Sequence, residues 1–175
     1  MIQKREELEN WHSKEDPWGY QNNKHDLIRK EILLSEIPVK EYKNVLDIGC
    51  GQGFITKDLP GKNIFGVDIS NEAINFANKI NNERCKFIQG SIFEIHKLFE
   101  IQFDLIIITG VLYPQYIGSS SSLIYLLINQ VLNNNGILIS VHINEWYNAQ
   151  FPYLKLNQVI YNYRDYTHNL EIYTK

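Results

Sequence analysis

The stretch that most constrains this chain is Val45-Leu46-Asp47-Ile48-Gly49-Cys50-Gly51-Gln52-Gly53. An apolar run with one carboxylate inside it gives way to glycines at every second position. That pattern predicts a buried strand that breaks into a tight turn and opens a helix at Phe54. Strand, glycine turn and helix in that order form the ligand-binding corner of a parallel α/β sheet, with the loop at the carboxyl edge of the strands. Glycines at 49, 51 and 53 permit positive φ and let bare N–H groups approach a ligand that a Cβ would push away. A second apolar run, Ile64-Phe65-Gly66-Val67-Asp68, ends in a carboxylate 19 residues beyond Gly49. An acid at the end of a second strand can accept hydrogen bonds from both hydroxyls of a ribose. Taken alone, Asp68 also suits the N-terminal flank of the following helix. Loop and acid together point to a nucleoside.

Two kinds of nucleoside site share this geometry. Nicotinamide domains use G-x-G-x-x-G and hold a pyrophosphate on the helix N-terminus. This chain has G-x-G-x-G instead, and Asp47 stands two residues before the first glycine. A negative charge there repels a diphosphate and attracts a cation. The stretch Leu46-Asp47-Ile48-Gly49-Cys50-Gly51-Gln52-Gly53 resembles motif I of the class I S-adenosylmethionine-dependent methyltransferases. The resemblance implies a phosphate-free sulfonium cofactor, S-adenosyl-L-methionine. It implies an α/β, Rossmann-like domain of seven strands, mostly parallel, ending in an antiparallel hairpin. Residues 1–38 would be a helical arm packed on a methyltransferase domain of residues 39–175. Cofactor contacts are then expected from Asp47, Gly49, Gly51 and Gly53, from Asp68 and Ile69, and from Thr109 and Gly110 after the fourth strand. In such enzymes the residue after the glycine at position 90 is commonly Asp and contacts the adenine amino group. Here it is Ser91, a weaker acceptor, with the backbone of Gly90 to Ile92 still expected along the adenine.

Size and charge narrow the field further. With 175 residues there is room for one domain and little for a second. A net charge of −3 gives no electrostatic footprint for a polyanion, which disfavours a nucleic-acid substrate. Cys50 and Cys85 suggest no disulfide framework, and the reduced cytoplasm is the setting they point to. The first residues, Met1 to Glu7, are charged and lack the apolar core of a signal peptide. The longest apolar run, Leu105 to Val111, falls far short of the roughly 20 residues of a membrane span.

Along the chain, residues 2–14 predict a short polar helix, which Asp16-Pro17-Trp18-Gly19-Tyr20 breaks. The aromatics there suit either a flap, with Trp18 over the ligand, or an arm packed on the domain. Asn22 or Asn23 caps a second helix to about Glu36, with Leu27, Ile28, Leu34 and Ile37 toward the sheet and Arg29, Lys30 and Glu31 outward. A short helix is expected over Phe54 to Leu59, and another over Glu72 to Asn81 capped by Ser70 or Asn71. Strands follow at Lys86–Gln89 and at Phe103–Ile108, the latter nearly all apolar, as a central parallel strand should be. Leu123–Leu132 reads as a helix ended by Asn133-Asn134-Asn135-Gly136, before a strand over Ile137–His142. Leu156–Tyr163 and Leu170–Tyr173 then read as a hairpin about a polar turn from Arg164 to Asn169.

Three local features resemble one branch of the family, the rhizobial nodulation N-methyltransferases, which methylate an amine on an amino sugar. These are Asp16-Pro17-Trp18, Lys24 at the start of the second helix, and Gly110-Val111-Leu112-Tyr113 after the fourth strand. Pro114 departs from that branch, which tends to carry a second aromatic there. The resemblance implies a small-molecule acceptor, an amine or hydroxyl of a sugar or its derivative. A neutral amine needs little activation, whereas a hydroxyl needs a base. The candidate bases are His142, at the carboxyl edge of the fifth strand, and Tyr113, with His12 and Asp16 on the arm. His142, Asn144 and Glu145 lie close in sequence, but without partner ligands elsewhere they predict no metal site. Two other readings stand beside methyl transfer: a nicotinamide-binding oxidoreductase, and a non-catalytic protein that binds S-adenosylmethionine. Oligomeric state and the choice between N- and O-methylation are not legible.

Overall fold

The computed structural model describes residues 5–13, 19–20, 23–147 and 151–175. The Asp16-Pro17-Trp18 segment lies outside the described residues, as does the side chain of His12. The strands are β1 (Asn44–Ile48), β2 (Asn63–Asp68), β3 (Cys85–Gln89), β4 (Phe103–Thr109), β5 (Leu132–Ile143), β6 (Leu154–Tyr163) and β7 (Tyr166–Thr174). They form one sheet in the order β3-β2-β1-β4-β5-β7-β6. β1 to β5 run parallel, and β7 pairs antiparallel with both β5 and β6. This is the seven-stranded α/β arrangement with a C-terminal hairpin that the motif implied.

The apolar strands pack on both faces. Leu46, Ile48, Ile106, Ile108 and Leu138 face one core with α4 (Ile95–Leu98), α5 (Pro114–Ile117) and α6 (Ser121–Val131). Val45, Ile64, Leu105, Ile107 and Ile139 face the other with α2 (Lys24–Glu36). A central strand buried on both sides needs an uninterrupted apolar run, which β4 supplies. Among the described residues no helix is long and apolar enough to cross a membrane.

Several expectations need correction. The predicted helix over Phe54–Leu59 is a single 3₁₀ turn at Thr56–Asp58. α2 is capped by Asn23, whose side chain accepts from the His25 N–H, and Leu34 and Ile37 pack inward with Glu31 exposed as read, but its first turns depart from the reading by apolarity. Leu27 and Ile28 are exposed, while Asp26, Arg29 and Leu33 are buried. The spacing i, i+3, i+7 does form a stripe, but its first two members are an ion pair rather than apolar residues. α6 passes straight into β5, so Asn133–Gly136 is strand rather than helix end, with Asn135 at φ 61 marking the irregularity. The polar turn of the hairpin shrinks to Arg164-Asp165, and Tyr166 to Asn169 belong to β7. Arg164 takes φ 53, the left-handed conformation that lets so short a turn close.

Two packing features shape the cleft above the sheet. α1 (Arg5–His12) lies against α3 (Asn71–Ala77). The Glu9 carboxylate accepts from the Ser70 hydroxyl at 2.7 Å and from the Asn71 and Glu72 N–H groups at 3.0 and 3.2 Å. Such a carboxylate satisfies donors that a helix start leaves open. Because β7 runs against β5, its first residues reach the rim where the parallel strands end. That reversal brings Tyr163 to His168 beside the glycine loop's edge of the sheet.

Candidate functional site

At that rim lies a cavity of about 550 Å³, within the ~300–1,000 Å³ typical of small-molecule sites. Its floor is the turn after β1. Gly49 and Cys50 donate N–H to the Val67 carbonyl at 2.8 and 3.1 Å, which folds the turn over the end of β2. Gly49 has φ +77, and a Cβ there would come within 2.2 Å of Val111. Gly51 has φ 52, and its N–H donates to Asp68 Oδ2 at 2.9 Å. No β-branched residue takes that conformation without strain. The other Asp68 oxygen accepts from the Ser70 N–H at 2.9 Å, so one carboxylate ties the first glycine turn to the start of α3.

Asp47 is the unusual group. It is buried, and Oδ2 accepts from the Thr56 hydroxyl at 2.6 Å, while Oδ1 is buried with no hydrogen-bond partner among the described residues. Desolvation pushes its carboxyl up to about 6, with Asp68 adding to the rise and Thr56 opposing it. A buried carboxylate oxygen with no donor is costly to the protein alone, and a cationic ligand would relieve it.

The structure brings most of the predicted contacts to this one cavity. Asp47, Gly49, Gly51, Asp68 and Ile69 line it on the β1–β2 side. Gly90, Ser91 and Ile92 line it after β3, and Thr109, Gly110 and Tyr113 after β4. Gly53 does not line it: a Cβ there would meet Ile80 at 2.7 Å and Phe87 at 2.9 Å, so this glycine serves close packing on the far side of the turn. Trp18 lies outside the described residues.

His142 is also not part of the wall, since along β5 it is Val141 and Ile143 that face the cavity. Its Nε2 accepts from the Leu112 N–H at 3.1 Å, which leaves the hydrogen on Nδ1 for the Ser140 hydroxyl at 3.0 Å. Burial holds the ring down to about 3, so it is neutral and engaged at both nitrogens. A general base must reach the proton that it takes, and His142 here braces the loop after β4 instead. Tyr113 does face the cavity, but its oxygen accepts from the Ile143 N–H at 2.7 Å, and burial pushes its hydroxyl up to about 12. It is a donor at neutral pH, not a base. The Glu145 carboxylate accepts from the N–H and hydroxyl of Thr167.

Sequence reasoning missed the opposite wall. Arg29, Tyr163, Arg164, Tyr166 and His168 all line the cavity. Asp26, fully buried, accepts from the Tyr163 hydroxyl at 2.8 Å and from Arg164 at 2.6 Å, and pairs with Arg29 at 3.4 Å. One buried carboxylate thus gathers two guanidiniums at this wall. The Arg29 guanidinium also stands over the Tyr20 ring at 5.0 Å. His168 Nδ1 lies 3.2 Å from the Tyr161 hydroxyl, and its ring stacks on Tyr163 at 4.0 Å. Desolvation, helped by Arg29 and Arg164, holds that imidazole down to about 3 and therefore neutral. The signal for Arg29 was present as the i, i+3 acid–base pair on α2. For His168 it was the reversal of the last strand, which residue types alone do not announce.

Comparison with known proteins agrees with this geometry. The family model of the methyltransferase domain matches residues 39–171. In structure the chain is similar to the N-methyltransferase NodS from Bradyrhizobium japonicum WM9 in complex with S-adenosyl-L-homocysteine. The TM-score is 0.82 at 18% identity, covering 98% of this chain and 97% of that one. It is also similar to magnesium protoporphyrin IX methyltransferase (ChlM) from Synechocystis PCC 6803, with TM-score 0.66 at 17% identity over 95% of this chain and 84% of that one. In sequence it is 32% identical over 85 residues to the release factor glutamine methyltransferase of Flavobacterium psychrophilum. That match spans 43% of this chain and 30% of the relative. With the glycine turn, the acid after β2 and the reversed last strand all in place, the chain belongs to the methyltransferase domain family and has the class I, S-adenosylmethionine-dependent fold.

Proposed function

We propose that this protein transfers a methyl group from S-adenosyl-L-methionine to a small-molecule acceptor. The observation that carries the reading is Asp47: a buried, donor-free carboxylate oxygen beside a glycine turn suits a cation and penalises a diphosphate. Asp68 is the group for the ribose hydroxyls, an acid that ends β2 on the cavity wall. The segment Gly90 to Ile92 lines the adenine side, and Arg29, on the opposite wall, takes the carboxylate of the amino-acid end. The sulfonium, when bound, supplies an electrophilic methyl carbon. The chain's own part is to hold the acceptor in line with it, an effect worth up to roughly 7–11 kcal/mol in well-oriented models. The likeness to the N-methyltransferase NodS supports an amine as acceptor, and the sequence resemblance described above extends this to an amine or hydroxyl of a sugar derivative. The two free cysteines suit a reduced, cytoplasmic setting.

Titration calorimetry separates this from the alternatives. Saturable one-to-one binding of S-adenosyl-L-homocysteine and no binding of NAD is the expected outcome. Binding of NAD alone would assign a nicotinamide site and overturn the reading. A non-catalytic binding protein would take the cofactor yet release no homocysteine in a coupled assay with any acceptor.

A further inference from the structure

The first turns of α2 bury charge where a helix that only docks on a sheet would bury its apolar residues. Leu27 and Ile28 are 43% and 38% exposed, while Asp26 is fully buried and Arg29 is 7% exposed. A buried ion pair is often no better for stability than apolar groups of the same volume, so docking alone does not account for this choice. The pair has a geometric consequence instead. Asp26 Oδ1 accepts from the Tyr163 hydroxyl at 2.8 Å and faces Arg29 Nε at 3.4 Å, and Oδ2 accepts from Arg164 Nη2 at 2.6 Å. One carboxylate thereby ties α2 to the turn of the last hairpin, 138 residues further along the chain.

Arg29 is held from two other directions as well. Its guanidinium stands 5.0 Å from the Tyr20 ring and 5.6 Å from the Tyr163 ring, and a planar cation against aromatic faces has few orientations open to it. With Nε turned to Asp26, the Nη groups are what Arg29 presents along the cavity that it lines. At Asp47, where desolvation raises the carboxyl, the Arg29 charge pulls the other way, so its influence reaches the glycine turn.

We infer that Asp26 is a positioning residue for cofactor discrimination. By holding Arg29 Nε and the hairpin turn together, it aims the Arg29 fork at the amino-acid carboxylate of the cofactor, and the site then selects the whole ligand over its adenosyl thioether part. The inference rests on the proposed cofactor reading, in which Arg29 receives that carboxylate. A guanidinium grips a carboxylate best through two parallel N–H donors, and a fork free to swing loses that match. Asp26 touches no ligand atom in this arrangement and acts through Arg29.

The test is titration calorimetry on the whole protein with S-adenosyl-L-homocysteine and with 5′-methylthioadenosine, which has the same adenosine and a thioether but no amino-acid end. The parent should bind S-adenosyl-L-homocysteine about tenfold or more tightly than 5′-methylthioadenosine. Asp26→Asn should lose about tenfold in affinity for S-adenosyl-L-homocysteine and less than about twofold for 5′-methylthioadenosine. Tyr163→Phe keeps the ring and every charge, and should lose about threefold for S-adenosyl-L-homocysteine alone; it carries the same comparison if Asp26→Asn does not fold. In an Arg29→Lys background, Asp26→Asn should change the affinity for S-adenosyl-L-homocysteine by less than about twofold, because the fork that it aims is gone. Equal losses for the two ligands, or an undiminished loss in the Arg29→Lys background, would show that Asp26 acts through the fold at large and would overturn the inference. So would a parent with no preference for S-adenosyl-L-homocysteine. Each of these leaves an adenosyl site standing, whereas a protein that takes neither ligand defeats the cofactor reading as well.

Discussion

Asp47 illustrates how a binding group is stored at a cost. A carboxyl raised from 3.8 to about 6 binds its proton more tightly in the folded chain than in the unfolded one. Its contribution to stability is therefore full below pH 4 and is lost as pH rises through 6, a loss of roughly 3 kcal/mol. Asp47→Asn escapes that loss. Its melting temperature without ligand should overtake that of the parent between pH 4 and 7, while its affinity for S-adenosyl-L-homocysteine falls; parallel pH profiles would mean that Asp47 is not strained. Asp68 holds the loop, and in the proposed reading also the ligand. Asp68→Ala should cost about 1–3 kcal/mol of cofactor affinity in calorimetry, because ribose hydroxyls and the Gly51 N–H are left unpaired together. Unchanged affinity would remove it from the site. Both acids stood out in the sequence, since each interrupts or ends an apolar run. Arg29 did not, because a charged residue on an amphipathic helix is ordinarily read as facing solvent, and only the buried Asp26 beneath it inverts that reading.

At the scale of elements, the last hairpin is docked onto α2 by polar contacts at its turn. Asp26 receives Tyr163 and Arg164 from the hairpin and Arg29 from its own helix. Asp26→Ala strips the acid from two guanidiniums and should destabilise the fold by ~3–5 kcal/mol in urea denaturation. A change below 1 kcal/mol would show that the cluster contributes nothing to docking. β5 carries a second buried polar link, from Ser140 through His142 to the backbone of Leu112. An imidazole held near 3 against its ordinary 6.5 stabilises the chain above pH 6.5 and loses that contribution as pH falls toward 3. His142→Gln should therefore flatten the dependence of stability on pH between 6 and 4 by up to about 1.4 kcal/mol per unit. An unaltered slope would place the titration elsewhere. The parallel strands were legible because strands buried on both faces leave long apolar runs, whereas their order is seen only in the packed sheet. The short turn at Arg164-Asp165 was not, since a polar stretch reads as loop even where Tyr166 to Asn169 pair in a strand.

Over the whole molecule, function follows from where one sheet puts its ends. Five parallel strands deliver the glycine turn, Asp68, Ser91 and Thr109 to one rim, and the reversed seventh strand returns Tyr166 and His168 to the same rim. The half of the cleft around the glycine turn could be read from spacing because it is built from consecutive strand ends. The opposite half is assembled from α2, the loop after β4 and the hairpin, far apart in sequence, and only the packed chain shows it. The most direct measurement is a crystal structure with S-adenosyl-L-homocysteine at saturation. The account predicts the ligand across the Gly49–Gly51 turn, its ribose on Asp68, its adenine along Gly90 to Ile92 and its carboxylate on Arg29. A ligand lodged elsewhere, or a cavity left empty at saturating concentration, would contradict it.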